Sequence, residues 1–120
     1  MGKPRFRPVQ VVKNPRHFGR SNEAERVVPD GLSEGELAWA WYQHRVALAV
    51  RAELVKRDLP LLILAKAVGE NEAWLERKLR GQAPADLGEI FEWALRLGPH
   101  ILPPIDGRED LGFPKLGVEI

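Results

Sequence analysis

Apolar and polar residues alternate with a helical period through the middle of the chain, whereas both flanks lack such a period. Between residues 33 and 98, apolar positions recur at spacings of three and four, in stretches separated by Pro, Gly and short polar runs. This pattern predicts an all-α domain, a bundle of four to five helices. The flanks mix Pro and Gly with charged or isolated apolar residues, which predicts irregular backbone. We therefore divide the chain into a basic extended arm (residues 1–32), a helical domain (residues 33–98) and a Pro/Gly-rich C-terminal tail (residues 99–120).

Start and stop signals predict where the helices begin and end. Ser33 lies three residues before Glu36, a capping-box spacing in which each side chain satisfies a backbone N–H of the other residue. Asp86 and Glu89 repeat this spacing before the last helical stretch. The other boundary residues are Pro60, Gly69, Asn71 and Gly81. Together they predict a turn between the second and third helices at residues 69–71.

The apolar periods also predict which side of each helix faces the core. In the first helix the predicted core residues are Leu37, Trp41, Leu48, Ala52 and Val55. In the fourth helix they are Leu87, Ile90, Phe91, Ala94 and Leu97. The polar turn around His44 predicts a surface position for that residue. Trp39 and Trp41 lie about 200° apart on one helix, so we expect one of them, or the apolar part of the tail, to contact a second copy.

Charge is distributed unevenly along the chain, although the formal net charge is only +1. Residues 1–26 carry seven basic and two acidic side chains, a net charge of +5. The remaining residues carry eleven basic and fifteen acidic side chains, a net charge of −4. A basic segment on a mildly acidic body is typical of an electrostatic arm that binds a polyanion. The same composition also suits a solvated terminus that keeps the protein in solution.

Composition gives little support to other chemistry. The chain has no cysteine, which excludes disulfides, thiolate catalysis and Cys-based zinc sites. The three histidines lie far apart, and neither a phosphate-binding glycine loop nor an enclosed carboxylate pair is recognisable, so we expect no metal, no cofactor and no enzymatic activity. No apolar run approaches the ~20 residues of a membrane span, and no secretion signal is recognisable. A cytoplasmic protein is therefore expected.

Several short motifs in the second half of the helical domain keep fixed distances from one another. They are Leu64-Ala65, Gly69, Ala73-Trp74-Leu75, Arg77-Lys78-Leu79-Arg80-Gly81 and the closing Leu97-Gly98. At these spacings the segment Val50–Gly98 resembles the helix-turn-helix core of the Cro/lambda-repressor-like (Xre-type) family. It is most similar to the arginine-rich versions of actinobacteria and their phages. The resemblance covers less than half of the chain and neither flank.

The resemblance implies a lambda-repressor-like bundle whose third helix enters the major groove of double-stranded DNA. The helical period agrees, because Leu75 and Leu79 point inward while Arg77 and Arg80 point away from them. The predicted DNA-binding residues are Asn71, Glu72, Ala73, Arg77, Arg80 and Gln82, with Lys3, Arg5, Arg7, Lys13 and Arg16 in the arm. Arg77 is expected to fork onto guanine and Arg80 to contact phosphate. Family members commonly bind two half-sites as dimers, which implies a homodimer.

Departures from the family pattern leave two hypotheses open. Pro60 and Leu61 stand where the family usually has Ser or Thr followed by Gln, which removes a phosphate donor. Glu72 and Glu76 place two carboxylates on the helix expected to face a polyanion. The first hypothesis is a sequence-specific DNA-binding protein, a transcriptional regulator of phage, plasmid or chromosomal origin. The second is a protein-interaction adaptor on a degenerate helix-turn-helix fold, a component of a larger phage or mobile-element assembly.

Overall fold

The computed structural model describes residues 6–104, which form four α-helices and three short 3-10 helices and contain no β-strand. The α-helices are α1 (Glu34–Lys56), α2 (Leu61–Ala67), α3 (Glu72–Leu79) and α4 (Leu87–Leu97). The 3-10 helices are Pro8–Val11, Pro15–His17 and Pro99–Ile101. The prediction of an all-α bundle of four to five helices is therefore confirmed for this part of the chain, which has four α-helices. No helix within it is long and apolar enough to cross a membrane.

Local capping signals set the helix boundaries. Ser33 Oγ accepts a hydrogen bond from the Glu36 N–H at 3.1 Å, and Glu36 Oε1 accepts one from the Ser33 N–H at 2.9 Å. Asn71 Oδ1 accepts hydrogen bonds from the first turn of α3 and so begins that helix. Gly69, with φ of +72°, supplies the left-handed residue after α2. The predicted turn between α2 and α3 is therefore confirmed.

Several elements surround α1 and bury more than one side of it. It contacts the first 3-10 helix, α3, α4 and the last 3-10 helix. Its buried side chains are Leu37, Ala40, Gln43, His44, Val46, Ala47, Val50, Glu53 and Leu54. The predicted core face was partly wrong, because Ala52 and Val55 are exposed and Leu48 is only half-buried. A single apolar stripe suits a helix that packs on one side, whereas a helix contacted from several sides buries a wider surface.

His44 lies inside this core, and the prediction of a surface position is wrong. Its Nδ1 accepts a hydrogen bond from the Gly19 N–H at 2.8 Å. The centroid of its ring lies 4.8 Å from that of Trp41 and 5.3 Å from that of Phe18. Burial, and secondly the positive charge of Arg45, lowers the pKa of His44 to about 4. His44 is therefore a neutral hydrogen-bond acceptor at pH 7.

The buried face of α4 is rotated relative to the predicted one. Trp93 is buried beside Ile90, whereas Leu87 and Phe91, both predicted as core residues, are about half exposed. Leu95 is 80% exposed. At 100° per residue, Leu87, Phe91 and Leu95 form an apolar stripe beside the buried one. Burial of Trp93 turns this flank of α4 outward, which corrects the predicted core face.

Residues 6–32 do not form the extended arm that their prolines predict. Val9, Val11 and Phe18 are buried members of the same hydrophobic core as the helices. The prolines do interrupt regular helix, and two of them begin 3-10 turns. However, the apolar residues between them remove enough surface from water to hold the segment against α1. Residues 1–5 of the predicted arm lie outside the described residues.

Two glycines let this N-terminal segment approach the helices closely. Gly19 and Gly81 have φ of +69° and +74°. A Cβ on Gly19 would lie 2.5 Å from the Leu79 carbonyl oxygen, and one on Gly81 would lie 2.8 Å from both the Phe18 ring and the Val9 nitrogen. The Val9 N–H also donates a hydrogen bond to the Gly81 carbonyl at 2.9 Å. The segment is therefore fixed against the C-terminal end of α3.

The beginning of the C-terminal tail also packs on α1. Ile101 is buried in the core, and the Tyr42 hydroxyl donates a hydrogen bond to the Pro103 carbonyl at 2.8 Å. The rest of the predicted irregular tail, residues 105–120, lies outside the described residues.

Candidate functional site

The exposed face of α3 is opposite its buried leucines, as its period predicts. Leu75 and Leu79 are fully buried, and Ala73, Trp74 and Arg77 are exposed. The Arg77 guanidinium carbon lies 5.2 Å from the centroid of the Trp74 ring, a cation–π arrangement. This face therefore presents a small residue next to a positively charged, planar group.

A cavity of about 460 Å³ lies between the C-terminal end of α3 and the N-terminal segment. Its polar lining consists of Arg7, Arg16, Arg20, Arg80 and Gln82. Its apolar lining consists of Val9, Pro15 and Phe18. Four arginines thus line one opening, and no Asp or Glu is among the lining residues.

Glu76 links three arginines beside this cavity. Its Oε2 lies 3.1 Å from Arg20, 3.3 Å from Arg51 and 2.6 Å from Arg80. Burial opposes ionisation of Glu76, but the hydrogen bonds and charges of Arg80 and Arg51 outweigh it and lower its pKa. Glu76 is therefore an ionised carboxylate that arginines cover, rather than a free negative charge on the surface of α3.

Lys78 serves as a structural link on the other side of α3. Its ammonium lies 2.5 Å from Glu70 in the turn and also contacts Glu89 in the first turn of α4. Burial opposes its charge, but the hydrogen bonds to Glu70 and Glu89 outweigh that effect and raise the pKa of Lys78. Lys78 therefore holds α3 in place between the turn and α4, and its charge is already matched.

The predicted site residues separate into groups. Arg7 and Arg16 from the arm meet Arg80 and Gln82 in the arginine-lined cavity. At the opposite, N-terminal end of α3 are Asn71, Glu72 and Ala73, with Arg77 one turn further along the helix. Lys13 does not line the cavity and pairs with Glu25 at 3.8 Å. Lys3 and Arg5 lie outside the described residues.

One polar residue of the cavity lining, Arg20, is not among the predicted site residues. Arg20 was counted only as part of the charge of the arm, although it lines the cavity and pairs with Glu76. The ion pair between Glu76 and Arg80 could have been predicted from their i, i+4 spacing, because such residues are neighbours on one helix face. No sequence signal indicated that Arg20 would join them, since 56 positions separate it from Glu76.

No protein-family model, no curated protein and no solved structure matches the chain. Among residues 6–104, no group of three or more His, Cys, Asp or Glu side chains is arranged to hold a metal ion.

Proposed function

We propose that this chain is a sequence-specific double-stranded DNA-binding protein of the helix-turn-helix type, a transcriptional regulator in which α3 enters the major groove. The single observation that carries the proposal is the convergence of Arg7, Arg16, Arg20 and Arg80 at one end of α3. A helix that lies in the groove needs cations beside it, because phosphates line both edges of the groove. The arginine-lined cavity supplies them next to the exposed face of α3.

The charges of the individual arginines support phosphate binding. Arg7 and Arg16 are exposed, and their guanidinium groups form no ion pair among residues 6–104. Guanidinium groups bind phosphate in a bidentate manner and remain charged at any physiological pH. In the sequence, the negative charge of Glu76 argues against DNA binding. In the structure, this carboxylate is paired with three arginines. Glu72 is left as the exposed carboxylate at the start of α3.

The base-reading part of the proposal rests on the other end of α3. Ala73 is exposed and small, so the helix can approach base edges closely. Arg77 is exposed beside it and reaches outward over Trp74. An arginine that forks to O6 and N7 of guanine is the commonest specific contact in the major groove. We assign this role to Arg77, and phosphate binding to Arg80.

One observation favours the second candidate function, a protein-interaction adaptor. Leu87, Phe91 and Leu95 form an exposed apolar stripe along α4. Contiguous exposed apolar side chains mark surfaces that contact other proteins. The same stripe also suits the homodimer that binding to two half-sites would require. We therefore propose this stripe of α4 as the dimer surface of the DNA-binding protein, rather than the half-buried Trp39 or Trp41.

The test compares Arg77→Ala and Arg80→Ala in fluorescence-anisotropy titrations on a duplex selected from a random library. We expect Arg77→Ala to cost about 1–3 kcal/mol and to relax the preference at one base position. Arg80→Ala should weaken binding to selected and random duplexes alike, because phosphate contacts carry no sequence information. Arg96→Ala, on α4, is the matched control and should change neither affinity. Negligible losses for both α3 variants would remove this helix from the interface and favour the adaptor.

A further inference from the structure

We propose that the arginine-lined cavity binds a free nucleoside di- or triphosphate, and that this ligand competes with DNA. The binding part of the inference stands on the cavity alone. The competition part rests on the proposed function, because it requires that Arg80 also contacts DNA.

The size of the cavity exceeds what a backbone phosphate of DNA requires. Its volume of about 460 Å³ falls within the ~300–1,000 Å³ that small-molecule sites typically occupy. Val9, Pro15 and Phe18 supply apolar lining beside the charged groups. A single phosphate has no part that would fill such a space. A nucleotide has such parts, because its sugar and base can lie against the apolar residues while its phosphates bind the arginines.

The charge around the cavity matches more than one phosphate. Four arginines line it, and Glu76 is the carboxylate paired with two of them, Arg20 and Arg80. Arg7 and Arg16 have no ionic partner among residues 6–104. The excess of about three positive charges is close to the charge of a nucleoside diphosphate, whose phosphates each carry about one to two negative charges at neutral pH.

Gln82 adds a polar group that can recognise a base. Gln82 lines the cavity, and its side-chain amide carries both a donor and an acceptor, the two kinds of group that the edge of a nucleobase also carries. Arg80, two residues earlier, lines the same cavity from the end of α3. A nucleotide that binds Arg80 therefore occupies a group that we assign to the DNA interface. Competition for one group must be mutual, so DNA should weaken nucleotide binding by the same factor.

The experiment is isothermal titration calorimetry of the full chain without DNA, with ADP, pyrophosphate and adenosine as probes. We expect ADP to bind, pyrophosphate to bind at least tenfold more weakly, and adenosine not to bind. Arg7→Gln and Arg16→Gln should each weaken ADP binding at least tenfold. Both positions are exposed, and thermal melting should show that the variants remain folded. Lys56→Gln and Arg96→Gln, which remove exposed positive charges outside the cavity, are matched controls and should leave ADP binding unchanged.

Three outcomes would overturn the inference. They are absence of ADP binding, equal losses in the cavity variants and the controls, and pyrophosphate binding as tight as that of ADP. A separate anisotropy titration in nucleotide-free buffer measures DNA binding. Failure of ADP binding with intact DNA binding therefore refutes only this inference. The reverse result refutes the proposed function, and the competition with it, but leaves nucleotide binding in the cavity standing. If both ligands bind without competing, the shared role of Arg80 is wrong.

Discussion

At the scale of single residues, buried or paired ionisable side chains connect distant parts of the fold. The sequence pattern identifies these positions only as polar. His44 connects α1 to the N-terminal segment by accepting the Gly19 N–H. Glu76 connects α3 to the same segment through Arg20, and to α1 through Arg51. Each of these contacts joins residues that are distant in the chain. A polar residue inside a helical period does not reveal whether it faces water or a buried partner.

The lowered pKa of His44 predicts that the protein becomes less stable in mild acid. Its pKa falls from 6.5 to about 4 on folding, so protonation favours the unfolded state. The stabilisation is complete above about pH 6.5 and is lost as the pH falls from there towards 4. Between pH 7.5 and pH 5.5, we expect the free energy of unfolding to decrease by about 1 kcal/mol through this residue. Urea denaturation at the two pH values measures the change.

His44→Asn is the matched variant for this measurement. An asparagine can place an acceptor near the position of Nδ1, but it does not bind a proton in this pH range. We expect the variant to be less stable overall, because it loses ring contacts with Phe18 and Trp41. Its remaining pH dependence should be smaller by the amount assigned to His44. An equal pH dependence in both proteins would show that His44 does not titrate as the buried environment requires.

At the scale of elements, the helix boundaries could be predicted from local sequence signals, whereas contacts between distant residues could not. The capping boxes at Ser33 and Asp86 lie within four residues of sequence, so the helix boundaries could be predicted. The packing of the N-terminal segment could not, because it depends on contacts such as that between Val9 and Gly81. Its prolines exclude a long helix, as the sequence predicts. They carried no information on whether the valines between them would be buried.

The close approach at Gly81 can be tested by comparison with Gly69. Both glycines have φ near +70°, at +74° and +72°, so alanine should cost about 1–2 kcal/mol at either position through backbone strain. Only at Gly81 would the added Cβ meet neighbours, Phe18 and Val9, at 2.8 Å, whereas Gly69 has open space. We expect Gly81→Ala to destabilise the protein by about 1–3 kcal/mol more than Gly69→Ala, as overpacked positions do.

Urea denaturation of the two glycine variants measures that difference. Gly81→Ala should also weaken DNA binding, because it displaces the segment that carries Arg7 and Arg16 from the end of α3. Equal destabilisation by the two substitutions would mean that the N-terminal segment does not pack against Gly81.

At the scale of the whole molecule, the fold redistributes the charge of the sequence. The basic N-terminal segment does not extend from the body, since it brings Arg7, Arg16 and Arg20 to one end of α3. The sequence predicted the sign and amount of this charge and named four of the five polar residues that line the cavity. It did not predict that they would line one cavity, because this depends on the path of the chain over α1 and α3. The sequence likewise did not predict the exposed apolar stripe of α4, because this stripe faces outward only as a result of the burial of Trp93.

The packing of the N-terminal segment also determines which variants can test its role. Deletion of residues 1–20 would remove Val9, Val11 and Phe18 from the core, and a loss of DNA binding would then report unfolding. Substitution of exposed arginines avoids this problem. Arg7→Gln with Arg16→Gln removes two charges from the cavity, and Lys56→Gln with Arg96→Gln removes two exposed charges elsewhere.

The most direct test of DNA binding through α3 and the arginine-lined cavity is the salt dependence of affinity, measured by anisotropy on one selected and one random duplex. Each phosphate that a protein cation neutralises contributes about −0.9 to the slope of log K against log salt concentration. We expect a clearly negative slope for the intact chain on both duplexes, with tighter binding to the selected one. The Arg7→Gln/Arg16→Gln variant should flatten that slope by about 1–2 units, while the Lys56→Gln/Arg96→Gln control should leave it unchanged. A slope near zero for the intact chain on both duplexes, or equal slopes for the cavity variant and the control, would contradict DNA binding at this surface.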